Sequence, residues 1–250
     1  MPLRPNLSLA PFAAWFKAHQ GRLLALFACV LGPLFLFGEL AEKIRDGEPF
    51  VFDEAILRLM HRSASGPLDQ LMLLASLVGS GPVVGTVDVL VCLLLLLRRR
   101  GFDALFWALA TGGAALLNML AKHSYARIRP DLWVSIAPET SFSFPSGHAM
   151  QSTALVAGLV VLLWPTAARL PILLVGVPFA ALVGVSRIYL GVHYPSDILA
   201  GWAASTAWVI GLSFLFYRHA VRHPASPPPA VADSSMLDRR HRGGGLRPPS

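Results

Sequence analysis

Charge is scarce in this chain. Asp, Glu, Lys and Arg together make up 14% of its 250 residues, while 54% are hydrophobic. That shortage excludes a soluble globular domain, which cannot hide so much apolar surface; a polytopic membrane protein presents it to lipid. Cysteine is nearly missing too. Cys29 and Cys92 both lie inside apolar segments, which makes them small hydrophobes, excludes a disulfide framework and leaves no thiolate metal site. No zinc-finger spacing occurs, nor any alternation of basic and aromatic residues. The formal charge of +7 therefore does not point to nucleic acid; arginines at the edges of apolar runs fit topology and anionic headgroups better.

What is present is a series of apolar runs at roughly 23–41, 82–97, 102–121, 148–164, 171–190 and 196–217. Each approaches the ~20 residues needed to cross a bilayer core of ~30 Å. The first run carries Pro33 and lacks a small-x-small cleavage site, so it reads as a retained helix rather than a signal peptide. The expected fold is all-α, a membrane helical bundle with about six transmembrane helices and an extra short interfacial helix. Residues 1–22 would form a cytoplasmic N-terminal segment and 23–217 the transmembrane domain. Residues 218–250, rich in Pro, Ser, Gly and Arg, would form a disordered cytoplasmic tail. An amphipathic stretch is expected around Phe12–Lys17, and an amphipathic helix near Glu54–Arg62.

Leu68–Leu77 is too short to span alone and is followed by Gly79-Ser80-Gly81-Pro82. It reads either as an interfacial helix or as a bent extension of the second span. Making it a separate span would move Arg98-Arg99-Arg100 outside, against the positive-inside rule. Six spans keep those arginines, Arg169 and the tail arginines in the cytoplasm. The chain is then expected in the cell inner (plasma) membrane, with both termini cytoplasmic.

Three polar clusters fall on the opposite, exterior side. Lys122 closes the third span and Arg129-Pro130 follow it. Pro145-Ser146-Gly147-His148 open the fourth. Ser186-Arg187, His193 and Asp197 bridge the fifth and sixth. Lys122, Arg129 and Arg187 offer three cations, and arginine forks match phosphate oxygens. Ser146 and Gly147 precede a helix whose free N–H groups and dipole favour an anion; Gly147 permits close approach. Pro195 suits the first position of a helix, placing Asp197 in its first turn, where its carboxylate can orient His193. His148, on another helix, can protonate a leaving oxygen. No Asp/Glu cluster accompanies them, so a magnesium route has no evident ligands, and neither metal nor cofactor is expected. Taken singly, these residues read as snorkelling cations, a helix start or interfacial histidines; the joint placement points to a phosphate site. Arg127 and Trp133 are candidates for the headgroup, or equally a loop charge and an interfacial anchor. Asp88 inside the second span is either functional or solvated from the outer end.

The ordered set Lys122-x6-Arg129-Pro130, Pro145-Ser146-Gly147-His148 and Ser186-Arg187-x5-His193-x3-Asp197 resembles the three-part signature of the type-2 phosphatidic acid phosphatase superfamily. The resemblance runs from the third span through the sixth. It implies a lipid phosphate or diphosphate phosphatase with a single pocket at the outer membrane face. By the same resemblance His193 is the nucleophile, forming a phosphohistidine that water then hydrolyses. Asp197 orients it and His148 is the general acid, while Lys122, Arg129, Ser146, Gly147 and Arg187 bind the phosphoryl oxygens. The implied partners are a lipid phosphate such as undecaprenyl diphosphate or phosphatidate, and membrane lipids. A lipid phosphotransferase using the same site and a non-catalytic lipid-phosphate binder are the alternatives.

Overall fold

The computed structural model describes residues 17–217 apart from Arg22 and Ala25. The expectations for residues 1–16 and for the tail from 218 onward lie outside the described residues. The chain divides into two units, Met1–Phe216 and Tyr217–Ser250, and the candidate site lies wholly in the first.

A π-helical turn, Phe27–Leu31, leads into α1 (Gly32–Arg45). Pro33 has no N–H to give the carbonyl four residues back, and the wider turn re-satisfies part of the ladder: Gly32 N–H bonds Phe27 O. Next come α2 (Val51–Arg62), α3 (Gly66–Val78), α4 (Gly81–Leu97), α5 (Gly101–Tyr125), α6 (Gly147–Leu163), α7 (Arg169–Tyr189) and α8 (Pro195–Tyr217). Among the described residues there is no strand.

Helices occupy each of the six apolar stretches. By length and apolarity α5, α7 and α8 qualify as crossings, and α3 with α4, bent by 42° at the break, makes a fourth if the pair counts as one span. The segment Leu68–Leu77 is therefore helical, within α3, and joined to α4 across a sharp bend, as in a broken span or a re-entrant loop. Ser80 starts α4 with an extended backbone and Pro82 stands in its first turn, so the chain restarts a helix at Gly79-Ser80 rather than continuing one. α6 has 17 residues, roughly 26 Å at 1.5 Å per residue. The amphipathic helix expected near Glu54–Arg62 is α2.

Small residues set how closely the helices approach. A Cβ on Gly201 of α8 would meet Ala149 Cβ and the Ser146 carbonyl of α6, both at 3.0 Å, and one on Gly184 of α7 would lie 2.5 Å from the Trp202 ring of α8. Packing of this kind stands in for hydrophobic driving force when the surroundings are themselves apolar. The outward faces stay apolar: Leu90, Leu97, Leu174 and Val175 are all exposed. That is the surface of an integral membrane protein.

Candidate active site

The C-terminal ends of α5 and α7 and the N-terminal ends of α6 and α8 meet at one end of the bundle. Because the connections alternate, Arg98–Arg100 between α4 and α5 and Arg169 at the start of α7 fall at the other end. A cavity of about 110 Å³ opens between the four ends. Of the eight expected residues, Lys122, Arg129, Gly147, His148 and His193 line it, so the two imidazoles share one space; Gly81, Glu139, Ser141 and Gln151 complete the wall. Ser146, Arg187 and Asp197 stand behind it.

His193 sits in the link between α7 and α8, where the Val192 and His193 N–H groups both reach back to the Arg187 carbonyl, at 3.2 and 3.3 Å. Its Nδ1 lies 3.3 Å from Asp197 Oδ2, and its Nε2 lies 3.1 Å from Arg129 Nη1. A guanidinium can only donate, so Nε2 accepts and Nδ1 carries the proton toward the carboxylate. That fixes one tautomer. Burial pushes the imidazole down to about 3, against the pull of Asp197, so the ring is neutral at ordinary pH. Asp197 is fully buried in the first turn of α8. Its Oδ2 also accepts from the Tyr194 N–H at 2.9 Å and from the Ser143 hydroxyl.

Arg129 donates through Nε to the Ser141 carbonyl at 2.6 Å and through Nη1 to the Val192 carbonyl at 2.6 Å. Burial lowers its affinity for the proton, while Glu139 and Asp197 raise it. Lys122 donates to Ser141 Oγ at 3.3 Å and to the Phe142 carbonyl. Arg187, 2% exposed, donates to Ser76 and, at 2.5 Å, to Glu139 Oε1. Its Nε has no hydrogen-bond partner among the described residues. Glu139 Oε2 lies 3.8 Å from Arg129, so one carboxylate spans two of the three cations.

Ser146 occupies the N-cap position of α6 without a side-chain capping bond. Its N–H donates to the Asp197 carbonyl at 3.1 Å, and its hydroxyl has no partner among the described residues. Asn118 of α5 steadies this turn, its Nδ2 donating to the Pro145 carbonyl at 3.0 Å. Neither Arg127 nor Trp133 lines the cavity. Arg127 turns inward onto Asp197 and Asp53, and Trp133 stacks on His61. Asp88 lies within α4, and it is not among the residues lining the cavity.

The sequence reading passed over four of the residues that shape this site. Glu139 is the only charged residue between positions 132 and 147, but nothing local says that a loop carboxylate will fold over the arginines. Gln151 had a signal. It follows His148 by three positions, which puts both on one face of α6. Ser143 and Asn118 act through contacts 54 and 27 residues away in sequence and carry none. Among the described residues no three His, Cys, Asp or Glu side chains gather closely enough to hold a metal ion.

Helices that bury small residues against one another, bare apolar side chains outward and gather cations and two imidazoles at one end define an integral membrane protein with a cationic cavity. The chain belongs to the PAP2 superfamily, whose model matches residues 103–220. It is 31% identical over 186 residues to an undecaprenyl-diphosphatase of Sulfolobus acidocaldarius, covering 72% of this chain and 86% of that protein. It is 38% identical over 111 residues to phosphatidylglycerophosphatase B of Bacillus subtilis, covering 42% of this chain and about half, 54%, of that one. The fold matches the crystal structure of a transmembrane PAP2 type phosphatidylglycerolphosphate phosphatase from Bacillus subtilis. The TM-score is 0.67 at 26% identity, over 79% of this chain and 98% of that one.

Proposed function

We propose that this chain is a membrane phosphatase that removes a phosphoryl group from a lipid phosphate or diphosphate through a phosphohistidine on His193. The observation that carries the reading is the shared cavity: a neutral imidazole with its acceptor nitrogen turned toward fixed cations, and a second imidazole on the same wall. Relatives named for undecaprenyl diphosphate and for phosphatidylglycerophosphate support lipid phosphates as the substrate class, with phosphatidate a third candidate.

In this reading Lys122, Arg129 and the Gly147 N–H at the start of α6 hold the phosphoryl oxygens from the wall, and Arg187 and the unpartnered Ser146 hydroxyl reach them from behind it; together they stabilise the charge that builds on those oxygens. The Arg129 donor leaves Nε2 for a phosphoryl oxygen. Nε2 then attacks phosphorus as the bond to the leaving oxygen breaks. The Nδ1 proton stays on the ring, and Asp197 stabilises the imidazolium. His148, kept neutral by burial and the neighbouring cations, takes up a proton once the negative charge of a bound phosphate offsets those cations. It gives that proton to the leaving oxygen and afterwards takes one from water, whose oxygen attacks phosphorus and breaks the P–N bond. No step requires a metal ion. The positive-inside rule orients the site outward, with the phosphatase domain at 23–217 and the termini in the cytoplasm.

Purified protein in detergent, with EDTA present, is expected to release phosphate from undecaprenyl diphosphate, phosphatidylglycerophosphate or phosphatidate. The proposal fails if none of the three is hydrolysed by a folded preparation.

A further inference from the structure

Asp197 is held on both oxygens. Oδ2 faces His193, and Oδ1 accepts from Arg127 Nη1 at 2.5 Å. Arg127 continues the chain of contacts. Its Nη2 donates to Asp53 Oδ2 at 2.9 Å, its Nη1 reaches Ser196 Oγ at 2.8 Å, and its guanidinium lies 4.1 Å from the centre of the Tyr194 ring. Asp53, from the first turn of α2, is 2% exposed. It accepts from the Ser196 N–H at 2.9 Å and from the Ser196 hydroxyl at 2.5 Å. The series His193–Asp197–Arg127–Asp53 therefore runs from the cavity back into α2, with every ionised group paired.

The order of charges matters. A guanidinium bonded to Asp197 alone would cancel the carboxylate that has to stabilise a positive imidazole, in surroundings where such interactions are strong. Asp53 shares the same guanidinium. Two carboxylates set against one guanidinium leave an excess of one negative charge, which a positive ring on His193 offsets. Neither Arg127 nor Asp53 lines the cavity, and the donors of Arg127 are directed onto Asp197, Ser196 and Asp53 rather than into it.

We infer that Arg127 and Asp53 are positioning residues for the His193–Asp197 couple: Arg127 fixes the carboxylate, and Asp53 keeps Arg127 from neutralising it. The inference rests on the proposed role of His193 and adds α2, an element outside the three clusters, to the machinery. A merely structural role would weaken the fold and every use of the site together. A positioning role lowers turnover while the cavity still binds anions through Lys122, Arg129 and Arg187.

The test uses the full-length protein in detergent and the variants Asp53→Asn, Arg127→Gln and Arg127→Lys. Three quantities are measured: kcat and KM on the best substrate, inhibition by orthovanadate as a phosphate mimic, and the 15N NMR signal of His193 Nδ1. Asp53→Asn keeps the shape and an acceptor for the Ser196 N–H, but it removes the charge and turns an NH2 donor toward Arg127 Nη2 and the Ser196 hydroxyl. It is expected to lower kcat about tenfold with KM and vanadate inhibition within about twofold. Arg127→Gln lowers kcat further and shifts the 15N signal of His193 Nδ1, as the carboxylate facing that proton loosens while Arg129 still donates to Nε2. Arg127→Lys does not rescue it, since one ammonium cannot fork between two carboxylates. Wild-type kcat in Asp53→Asn and Arg127→Gln overturns the inference. So does loss of kcat together with vanadate affinity or with folding. If wild-type protein hydrolyses no lipid phosphate, the phosphatase reading fails, and the 15N comparison at His193 Nδ1 still decides the positioning role: an unshifted signal in Arg127→Gln overturns it.

Discussion

Helices α4 and α6 both have 17 residues and both open on glycine, yet they face opposite surroundings. α4 is almost wholly aliphatic but buries only Val84 and Leu95, and Leu90 and Leu94 are more than half exposed. α6 begins with His148, Gln151, Ser152 and Thr153, and it buries Ala149, Met150, Ser152, Ala154 and Gly158 among others. In water the apolar helix would be the inner one. In a bilayer, hydrocarbon replaces solvent on the outside, so large aliphatic residues face lipid and small or polar ones face protein. Hydropathy here marks the skin of the molecule, and the chemistry sits where hydropathy dips.

That contrast can be broken. His193→Asn removes the proposed nucleophile and is expected to lower phosphate release by about a thousandfold or more without altering the melting temperature grossly. Residual activity within tenfold of wild type would refute the assignment. Gly158→Leu on α6 forces a side chain against Trp107, whose ring already lies 3.0 Å from where a Cβ would stand. Overpacking of this kind costs about 1–3 kcal/mol, visible as a lower melting temperature in detergent.

Smaller effects sharpen the contrast. Glu139→Gln removes the carboxylate that spans Arg187 and Arg129 while keeping an acceptor. Orthovanadate is then expected to bind a few-fold more tightly; weaker binding would mean that the carboxylate orients the arginines for the anion instead. The proton affinity of His193 also has a consequence for folding. Burial holds the folded ring down at about 3, below the ordinary 6.5 that it regains in the unfolded chain. As pH drops below about 6.5 the unfolded chain gains a proton that the folded one refuses, and stability falls. Between pH 7 and 5 the wild-type melting temperature should therefore drop more than that of His193→Asn. Smallest of all, Leu90→Ala on the lipid face of α4 should change stability by no more than about 0.5 kcal/mol. A loss as large as that of Gly158→Leu would place α4 inside a protein interface.

The apolar stretches were legible because a bilayer demands ~20-residue runs and leaves little else to confuse with them. The bend between α3 and α4 was half legible: Gly79-Ser80-Gly81-Pro82 announces a break, but a break alone does not say whether the two pieces stay collinear. The polar clusters could be read because each lies at a helix end, so the alternation of spans assigns all of them to one side. What the chain hid was the second layer. Asp53 sits on an amphipathic helix whose acidic first turn, Asp53-Glu54, reads as a solvated dipole complement. Only the approach of Ser196, 143 positions away, takes it indoors. Arg127 reads as a loop cation for the same reason, since pairing across 70 and 74 residues leaves no periodic trace. Glu139 belongs to a connection without regular structure, where no rule of spacing applies.

The cavity's size has a bearing on which molecules the protein can tell apart. At about 110 Å³ it is well below the roughly 300–1,000 Å³ of pockets that enclose a whole small ligand. It can inspect a phosphoryl group and the first atoms attached to it and little more. In the proposed reading, whatever hydrocarbon trails behind stays among the acyl chains, so sterol-like, isoprenoid and fatty tails would look alike from within, and discrimination would fall to the few side chains at the rim.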